Sequence, residues 1–382
     1  MKKIRNVLLA LTTAHHGFYY GVARYARENN WHLVTDMLYV ASVPYGWEGD
    51  GIISHVGYWN ELADFIQSSP APRVELTKLR HDLKVPHIQG DNLKIGEIAA
   101  LHFIERGYRN YAWAPFSNDI INQQRHQGFV DIIKTHGFDC ETLPPQYQFS
   151  KKPSKIDWAK HHKLLQQSIL KLPRPLAIFC FNDCVAANVL NACQAANFNV
   201  PEEIALVGVD NDKLLCEAVT VQITSVIHDL EGIGYEGAKL LDRLIDGAKP
   251  PTDPIIVPPK GIIVRQSSDM VAVDNQQVAH ALRYIWDNYM DNELTVDRIV
   301  KATNLSRRPL EIAFRSELEK TINDEIIEVR LNKVKDLLKH TNMKIIEISK
   351  ATGFTRPNHL FRTFRKHVGI SPKTYRLQNQ KK

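Results

Sequence analysis

Near its C-terminus the chain repeats itself. Ile299, Lys301, Ala302, Thr303 and Arg307 return as Ile348, Lys350, Ala351, Thr352 and Arg356, 49 positions later, and the pair Phe314 and Arg315 returns as Phe364 and Arg365. A stretch this short must build one small unit twice, and the apolar spacing says which. Leu310, Phe314 and Leu318 recur every four positions, as do Leu360 and Phe364, so each copy is read as helix, tight turn, helix, with that stripe pinning the second helix to its core. Asn304 and Gly353 stand where the turn is expected to need positive φ. Ser306 and Thr355 are placed as N-caps. Pro309 and Pro357 lie in the first turn, where a missing N–H is tolerated. The opposite faces are polar: Arg307, Arg308 and Glu311 in the first copy, Arg356, Asn358, His359, Arg362 and Lys366 in the second. Such a helix suits the DNA major groove, where Arg pairs with guanine and Asn with adenine. Two of them, joined by a spacer helix over 324–340, would reach successive grooves about 34 Å apart. The plain alternative is a helical bundle whose polar faces meet only water.

Charge weighs against that alternative. The net charge is +6 over 382 residues. Residues 274–382 hold 21 Lys and Arg against 13 Asp and Glu, and residues 343–382 hold 10 against one, Glu347. A neutral body with a basic tail suggests a polyanionic partner. Five cysteines without a CxxC spacing fit reduced thiols rather than disulfides or zinc. No run approaches the roughly 20 apolar residues of a membrane span. The start, Met1 to Asn6 and then an apolar stretch to Leu11, reads either as a short signal peptide or as a first buried strand.

From residue 4 to about 270, short apolar runs alternate with amphipathic stretches. Strands are expected at 7–11, 51–54, 111–115, 176–181, 205–209 and 255–257. Helices are expected at 18–28, 62–67, 94–106, 124–136, 158–169, 186–196 and 235–246. This pattern implies parallel sheets covered on both faces, in two α/β lobes. Ligands of such sheets bind beyond the carboxyl ends of the strands, which makes Asn182, Asp183, Asp210, His55, His15, His16 and Arg125 candidates. Carboxylates, amides and the arginine fork suit a polyhydroxylated ligand. Phe18, Tyr19, Trp47 and Trp59 are available to stack on it. Asn182 and Asp183 could equally be helix caps, and His15 and His16 could be exposed loop residues. A linker is read over 264–274, and a new helix over 276–289.

Ile88, Asp91, Asn92, Gly96 and Tyr108, then Gln124, Arg125, Gly128 and Phe129, then Phe179, Asn182, Asp183 and Ala186, then Pro201, Gly208 and Asp210, and finally Thr224, Ser225 and His228 make residues 4–270 resemble the LacI-type and periplasmic sugar-binding family. The resemblance implies a type I periplasmic-binding-protein-like sensor with two lobes that close over a sugar. It implies that Arg125, Asn182 and Asp210 hold its hydroxyls. His228 stands where the family often has Gln. Residues 1–6 lead straight into the first strand, so the N-terminal DNA-binding helices of LacI-type repressors are not expected.

The second repeat, with Ile348, Gly353, Phe354, Leu360, Arg362, Phe364, Gly369, Pro372 and Tyr375, resembles the signature of the AraC family. That resemblance implies transcription activation, usually by a homodimer that contacts RNA polymerase, with Asn358, Arg362, Arg308 and Glu311 at base-reading positions. Ile312 replaces a usual polar residue there. The expected organisation is a sensor over 1–270, its lobes about 1–89 with 229–258 and 91–227 with 260–270, and an all-α DNA-binding domain over 271–382 with two helix-turn-helix units. The expected function is a cytoplasmic regulator of sugar use, bound to DNA and a small sugar, with D-xylose implied by the resemblance and with neither metal nor cofactor. The competing readings are a secreted sugar-binding protein of a transporter, and an enzyme. Against the latter, the chain holds no P-loop, GxSxG, HExxH or complete dinucleotide fingerprint.

Overall fold

Leu8, Leu9, Ile52, Ile53, Ile178, Phe179, Leu206 and Val207 are all buried. A strand that buries neighbouring residues, not alternate ones, must be covered on both faces, and the computed structural model shows how. It describes residues 4–12, 16–40, 42–80, 82–145, 158–270, 273 and 275–379; His15 and Asp274 lie outside these. The chain forms two compact units, Met1–Asp269 and Met270–Lys382.

Each lobe of the first unit is built on one sheet. One runs Trp31–Val34, Arg5–Leu11, Gly51–His55, Arg73–Glu75 in spatial order, all parallel. The other runs Ile262–Ile263, Thr224–Val226, Ile204–Val209, Leu176–Cys180, Asn110–Ala114, Cys140–Thr142. It is parallel except for its first pair. Helices His16–Glu28 and Leu230–Ile245 pack on the first sheet, and Asp183–Ala195 packs on the second. Between the two lobes, Ile88–Gly90 pairs in parallel with Ile255–Val257. Beside that pair the Asp91 N–H donates to Val257 O (2.9 Å), the Ile227 N–H to Gly261 O (2.8 Å) and the Lys260 N–H to Ile227 O (2.9 Å). Three passages of the chain between lobes thus lie side by side, the arrangement of a hinge.

Each lobe has one close helix crossing made by a pair of glycines. In the first, a Cβ on Gly21 would overlap the backbone at Glu231 and Tyr235, and one on Gly234 would overlap Phe18. In the second, helix Asn92–Glu105 crosses Ile120–Thr135. A Cβ on Gly96 would overlap the backbone at Arg125 and Phe129, and one on Gly128 would overlap Leu93.

The second unit is helical: Gln276–Asn288, Val296–Ala302, Arg307–Leu318, Ile322–His340, Ile345–Ala351, Pro357–Val368 and Pro372–Asn379. Helix Ile322–His340 begins with a capping box between Thr321 and Asp324. It serves two cores: Ile322 and Ile326 join Leu310 and Phe314, while Leu331, Val334 and Leu338 join Leu360 and Phe364.

Three local expectations change. Asn304 is not among the residues with positive φ, whereas Gly353 is, at 74°; in the first turn the Asn304 N–H donates to Gln277 Oε1 (2.8 Å), so a side chain from helix Gln276–Asn288 settles that turn. Ser306 occupies the N-cap without a side-chain hydrogen bond. Thr355 is displaced by Arg356 as the second N-cap. Six helices of the first unit begin two to five residues before their first expected residue, because Asp91, Asp119, Asn182 and Asp229 cap four of them and polar first turns carry no apolar periodicity. Six short strands, among them Thr224–Val226 and Arg73–Glu75, were not expected at all.

Gly128→Ala tests the crossing that carries Arg125. The added methyl meets backbone, which cannot swing away, so the sensor is expected to lose about 1–3 kcal/mol of stability in chemical denaturation. An unchanged midpoint would show that the two helices part without strain.

Candidate ligand cleft and nucleic-acid interface

Helix Ile120–Thr135 delivers Arg125 to the hinge. Asp119 caps it, accepting from Ile121 N (2.9 Å) and Asn122 N (3.0 Å). The residue is buried, 3% exposed, so its guanidinium must find hydrogen bonds inside the protein. Nε donates to Asn92 Oδ1 (3.1 Å), Nη1 to the Phe181 carbonyl (2.5 Å), and Nη2 faces His228 Nδ1 (3.3 Å). The same Nη2 stands 3.8 Å from Asp210 Oδ1, and the guanidinium lies 4.7 Å over the Phe181 ring. Burial lowers the Arg125 pKa from its ordinary value, and the negative charges of Asp210, Asp119 and Asp183 oppose this.

Asp210 follows strand Ile204–Val209 with φ at 97°, and Asn211 follows at 53°. A non-glycine residue at such a φ costs about 1–3 kcal/mol and persists only where its surroundings hold it. Asp183 does the holding: Oδ1 accepts from Ser225 Oγ (2.6 Å) and Oδ2 from Asp212 N (2.7 Å). Asn211 N donates to Ser225 Oγ (3.0 Å), and Arg265 Nη2 to Asn211 Oδ1 (2.8 Å). The turn so fixed sets the Asp210 carboxylate 3.1 Å from His228 Nδ1. His228 in turn lies against Gly90, where a Cβ would overlap its ring. Arg125, Asp210 and His228 therefore meet at the carboxyl ends of the second lobe's strands, against the hinge.

The other expected ligand residues are placed differently. Asn182 caps helix Asp183–Ala195, its Oδ1 accepting from Val185 N (3.0 Å). Asp183 is 1% exposed and supports the turn at Asp210. His55 ends its strand buried, with Nδ1 3.4 Å from Thr12 Oγ1 and its ring 5.5 Å from Phe18. His16 begins helix His16–Glu28 and is exposed. Phe18 is core, and Trp47 and Trp59 pack against the core. The aromatic faces beside Arg125 are instead Phe181 and, stacked on it at 5.6 Å, Phe116. Sequence reasoning missed Asn92, Phe181 and Tyr58. Asn92 follows the first crossover directly, which was the signal for it. Tyr58, from the first lobe, donates to Asp119 Oδ2 (3.0 Å) in the second, so a hydrogen bond bridges the lobes at the cap of the helix carrying Arg125. A surface cavity of about 270 Å³ lies elsewhere, around Pro72, Arg73 and Pro250. Arg73 turns the two terminal nitrogens of its guanidinium back onto the Gln67, Ser69 and Ala71 carbonyls.

The two recognition helices differ. On Arg307–Leu318, Arg307 pairs with Glu311 (2.9 Å) and Asp297 (3.0 Å), so its charge is answered within the fold, while Arg308 is exposed. On Pro357–Val368, Asn358, His359, Arg362 and Lys366 are exposed, with Arg356 at the cap. Arg362 and Lys366 form no ion pair among the described residues. Arg330, on the shared helix, is 8% exposed and was not anticipated. Nε donates to Tyr289 O (2.9 Å) and Nη2 to Asp291 O (2.7 Å), and the guanidinium faces the Phe354 ring at 5.9 Å. Gly353 is required beside it, since a Cβ there would overlap Tyr289 O. One cation thereby links the end of helix Gln276–Asn288 to the turn of the second helix pair.

Burial, then the charge of Asp210, raises the Asp183 pKa from the usual carboxylate range to about 7, and its hydrogen-bond donors oppose this. Such a group favours the folded state most below pH 4, and that contribution is lost as pH rises through 7. Asp183→Asn keeps the acceptor for Asp212 N and offers a donor to Ser225. It is expected to flatten the fall in sensor stability between pH 4 and 7 by about one proton, read from melting temperature against pH. A slope equal to that of the parent would mean that Asp183 is ionised throughout.

Among the described residues no helix is long and apolar enough to cross a membrane. The family model of the periplasmic binding protein-like domain matches residues 100–268, and that of a helix-turn-helix domain matches residues 299–378. The chain is 27% identical over 376 residues to the xylose operon regulatory protein of Escherichia coli strain K12, covering 94% of this chain and 93% of that protein. It is 28% identical over 299 residues to the xylose operon regulatory protein of Haemophilus influenzae, covering 76% and 75%. A solved structure of a xylose-binding transcription activator superimposes with a TM-score of 0.62 at 26% identity, covering 100% of both chains. The chain is a transcription regulator homologous to the xylose operon regulatory proteins, joining a periplasmic binding protein-like domain to an AraC-type helix-turn-helix domain.

Proposed function

We propose that the chain is a cytoplasmic activator that binds D-xylose between the lobes of its first unit and duplex DNA through its second. The observation that carries the sugar site is Asp210. A strained aspartate, held by a buried scaffold and set against Arg125 and His228 at the hinge, is the arrangement that vicinal hydroxyls require: a carboxylate to accept from one and a guanidinium to donate to the next. The names of the relatives support xylose as that sugar.

In this reading the sugar shifts the lobes toward closure through its greater affinity for the closed form, with the Tyr58 bridge to Asp119 among the closing contacts. Two protomers then place their helix-turn-helix units on two half-sites and recruit RNA polymerase. Asn182 and Asp183 support the cleft through the helix cap and the Asp210 turn. His16 and His55, at the ends of first-lobe elements, would face the sugar from the opposite side.

Asp210→Ala is expected to abolish D-xylose binding in calorimetry while the circular dichroism spectrum and DNA affinity stay those of the parent. Unchanged sugar affinity would remove Asp210 from the site. On the DNA side, Arg362→Ala is expected to cost about 1–3 kcal/mol on a specific site and little on random duplex, measured by gel shift with DNA from upstream of the genes it controls. An equal loss on both would make Arg362 a phosphate contact only.

A further inference from the structure

Ile312 is 61% exposed in the middle of helix Arg307–Leu318. The internal repeat assigns its register without reference to any other protein. Leu310 and Phe314 are buried in the first copy as Leu360 and Phe364 are in the second, each pair 50 positions apart. The same offset places Ile312 where Arg362 stands, Arg308 where Asn358 stands and Arg315 where Arg365 stands. Both helices are pinned to their cores by the same two positions, so they present the same face, and Ile312 takes the central place on it.

At about 100° per residue, Arg308, Ile312 and Arg315 fall within a stripe about 60° wide. All three are exposed. An isoleucine left mostly in water between two arginines is not among the apolar residues that form or pack against the core of its unit. A flanking pair of cations suits a phosphate-lined groove better than an apolar protein surface. The one apolar group that the major groove offers at the base edges is the thymine 5-methyl.

We infer that Ile312 reads a thymine methyl, so that the first helix-turn-helix unit selects its half-site by apolar contact while the second selects by hydrogen bonds through Arg362 and Asn358. This rests on the DNA-binding reading above. The consequence is a half-site with an obligatory thymine, flanked by contacts from Arg308 and Arg315, that Ile312 distinguishes from cytosine and from uracil.

The test uses the full chain with D-xylose and a pool of randomised duplexes. The best-bound duplex is then remade with each thymine replaced singly by deoxyuridine, which removes one methyl and alters no hydrogen bond. For the parent, one substitution is expected to weaken binding about fourfold, the value of one buried methyl. For Ile312→Ala, whose side chain lies outside the core, that same substitution is expected to have no effect. Enrichment of a specific duplex with no methyl-sensitive position, or with equal sensitivity in the parent and Ile312→Ala, would overturn the role of Ile312 and leave DNA binding standing. Failure to enrich any duplex would bring down the DNA-binding reading itself, and this inference with it.

Discussion

A guanidinium cannot shed its charge inside a protein, and the sensor is arranged around that fact at Arg125. Burying it to 3% exposure obliges the fold to supply oxygen acceptors in the directions of a rigid fork. They come from separate parts of the chain, Asn92 after the first crossover and the Phe181 carbonyl after the central strand Leu176–Cys180, while Asp210 after strand Ile204–Val209 adds a counter-charge at 3.8 Å. His228, at the second crossover, closes the set. Two of the three hinge passages are therefore tied to one side chain. The helix that bears it can approach only because Gly96 and Gly128 let two backbones meet. Sequence, crossing and site are one constraint seen at three scales.

The second unit solves a related problem with Arg330. Two small helix pairs, each with a modest core, share the helix Ile322–His340, and a shared helix alone sets their spacing but leaves the adjoining turns free to rock. Arg330 removes that freedom by bonding to the Tyr289 and Asp291 carbonyls while its face meets Phe354. Carbonyls need a buried donor and the donor needs carbonyls, so neither side leaves without a penalty. The spacing of the two recognition helices is built into the unit in this way, and a reader of successive major grooves depends on that spacing.

What the sequence disclosed follows from what leaves a local mark. The long buried strands at 7–11 and 205–209 and the duplicated helix pairs carry apolar patterns that no other element mimics, and they appear as expected. Short edge and crossover strands such as Thr224–Val226 and Ile88–Gly90 are stabilised by partners far along the chain, and three residues hold too little periodicity to read. At the site, Arg125 and Asp210 stood out because a charged residue beyond an apolar strand or at a helix start is locally conspicuous. Asp183 was equally conspicuous, but its burial and its bonds to Ser225 and Asp212 are made by tertiary structure. Arg330 was invisible for the opposite reason: in a helix rich in Lys and Glu, nothing local separates a buried arginine from an exposed one.

The contrast between Asp183 and Asp210 bears on how a neutral ligand is felt. Both carboxylates lie near Arg125, yet only Asp210 occupies a strained backbone position. Strain of about 1–3 kcal/mol would be discarded by evolution or by relaxation unless the turn were held, and Asp183 with Ser225 holds it at the cost of burying a second acid. A sugar brings no charge, so it gains its differential affinity for one lobe arrangement through hydrogen bonds whose geometry exists before it arrives. If Asp210 holds the sugar as proposed, a relaxed Asp210 would have to be ordered on binding, and each ordered side chain takes about 0.5–1.5 kcal/mol from the affinity. In the proposed function, placing that cost in folding rather than in binding would leave the sugar's hydrogen bonds free to act on the hinge, where Asp210 touches His228 and His228 lies against Gly90.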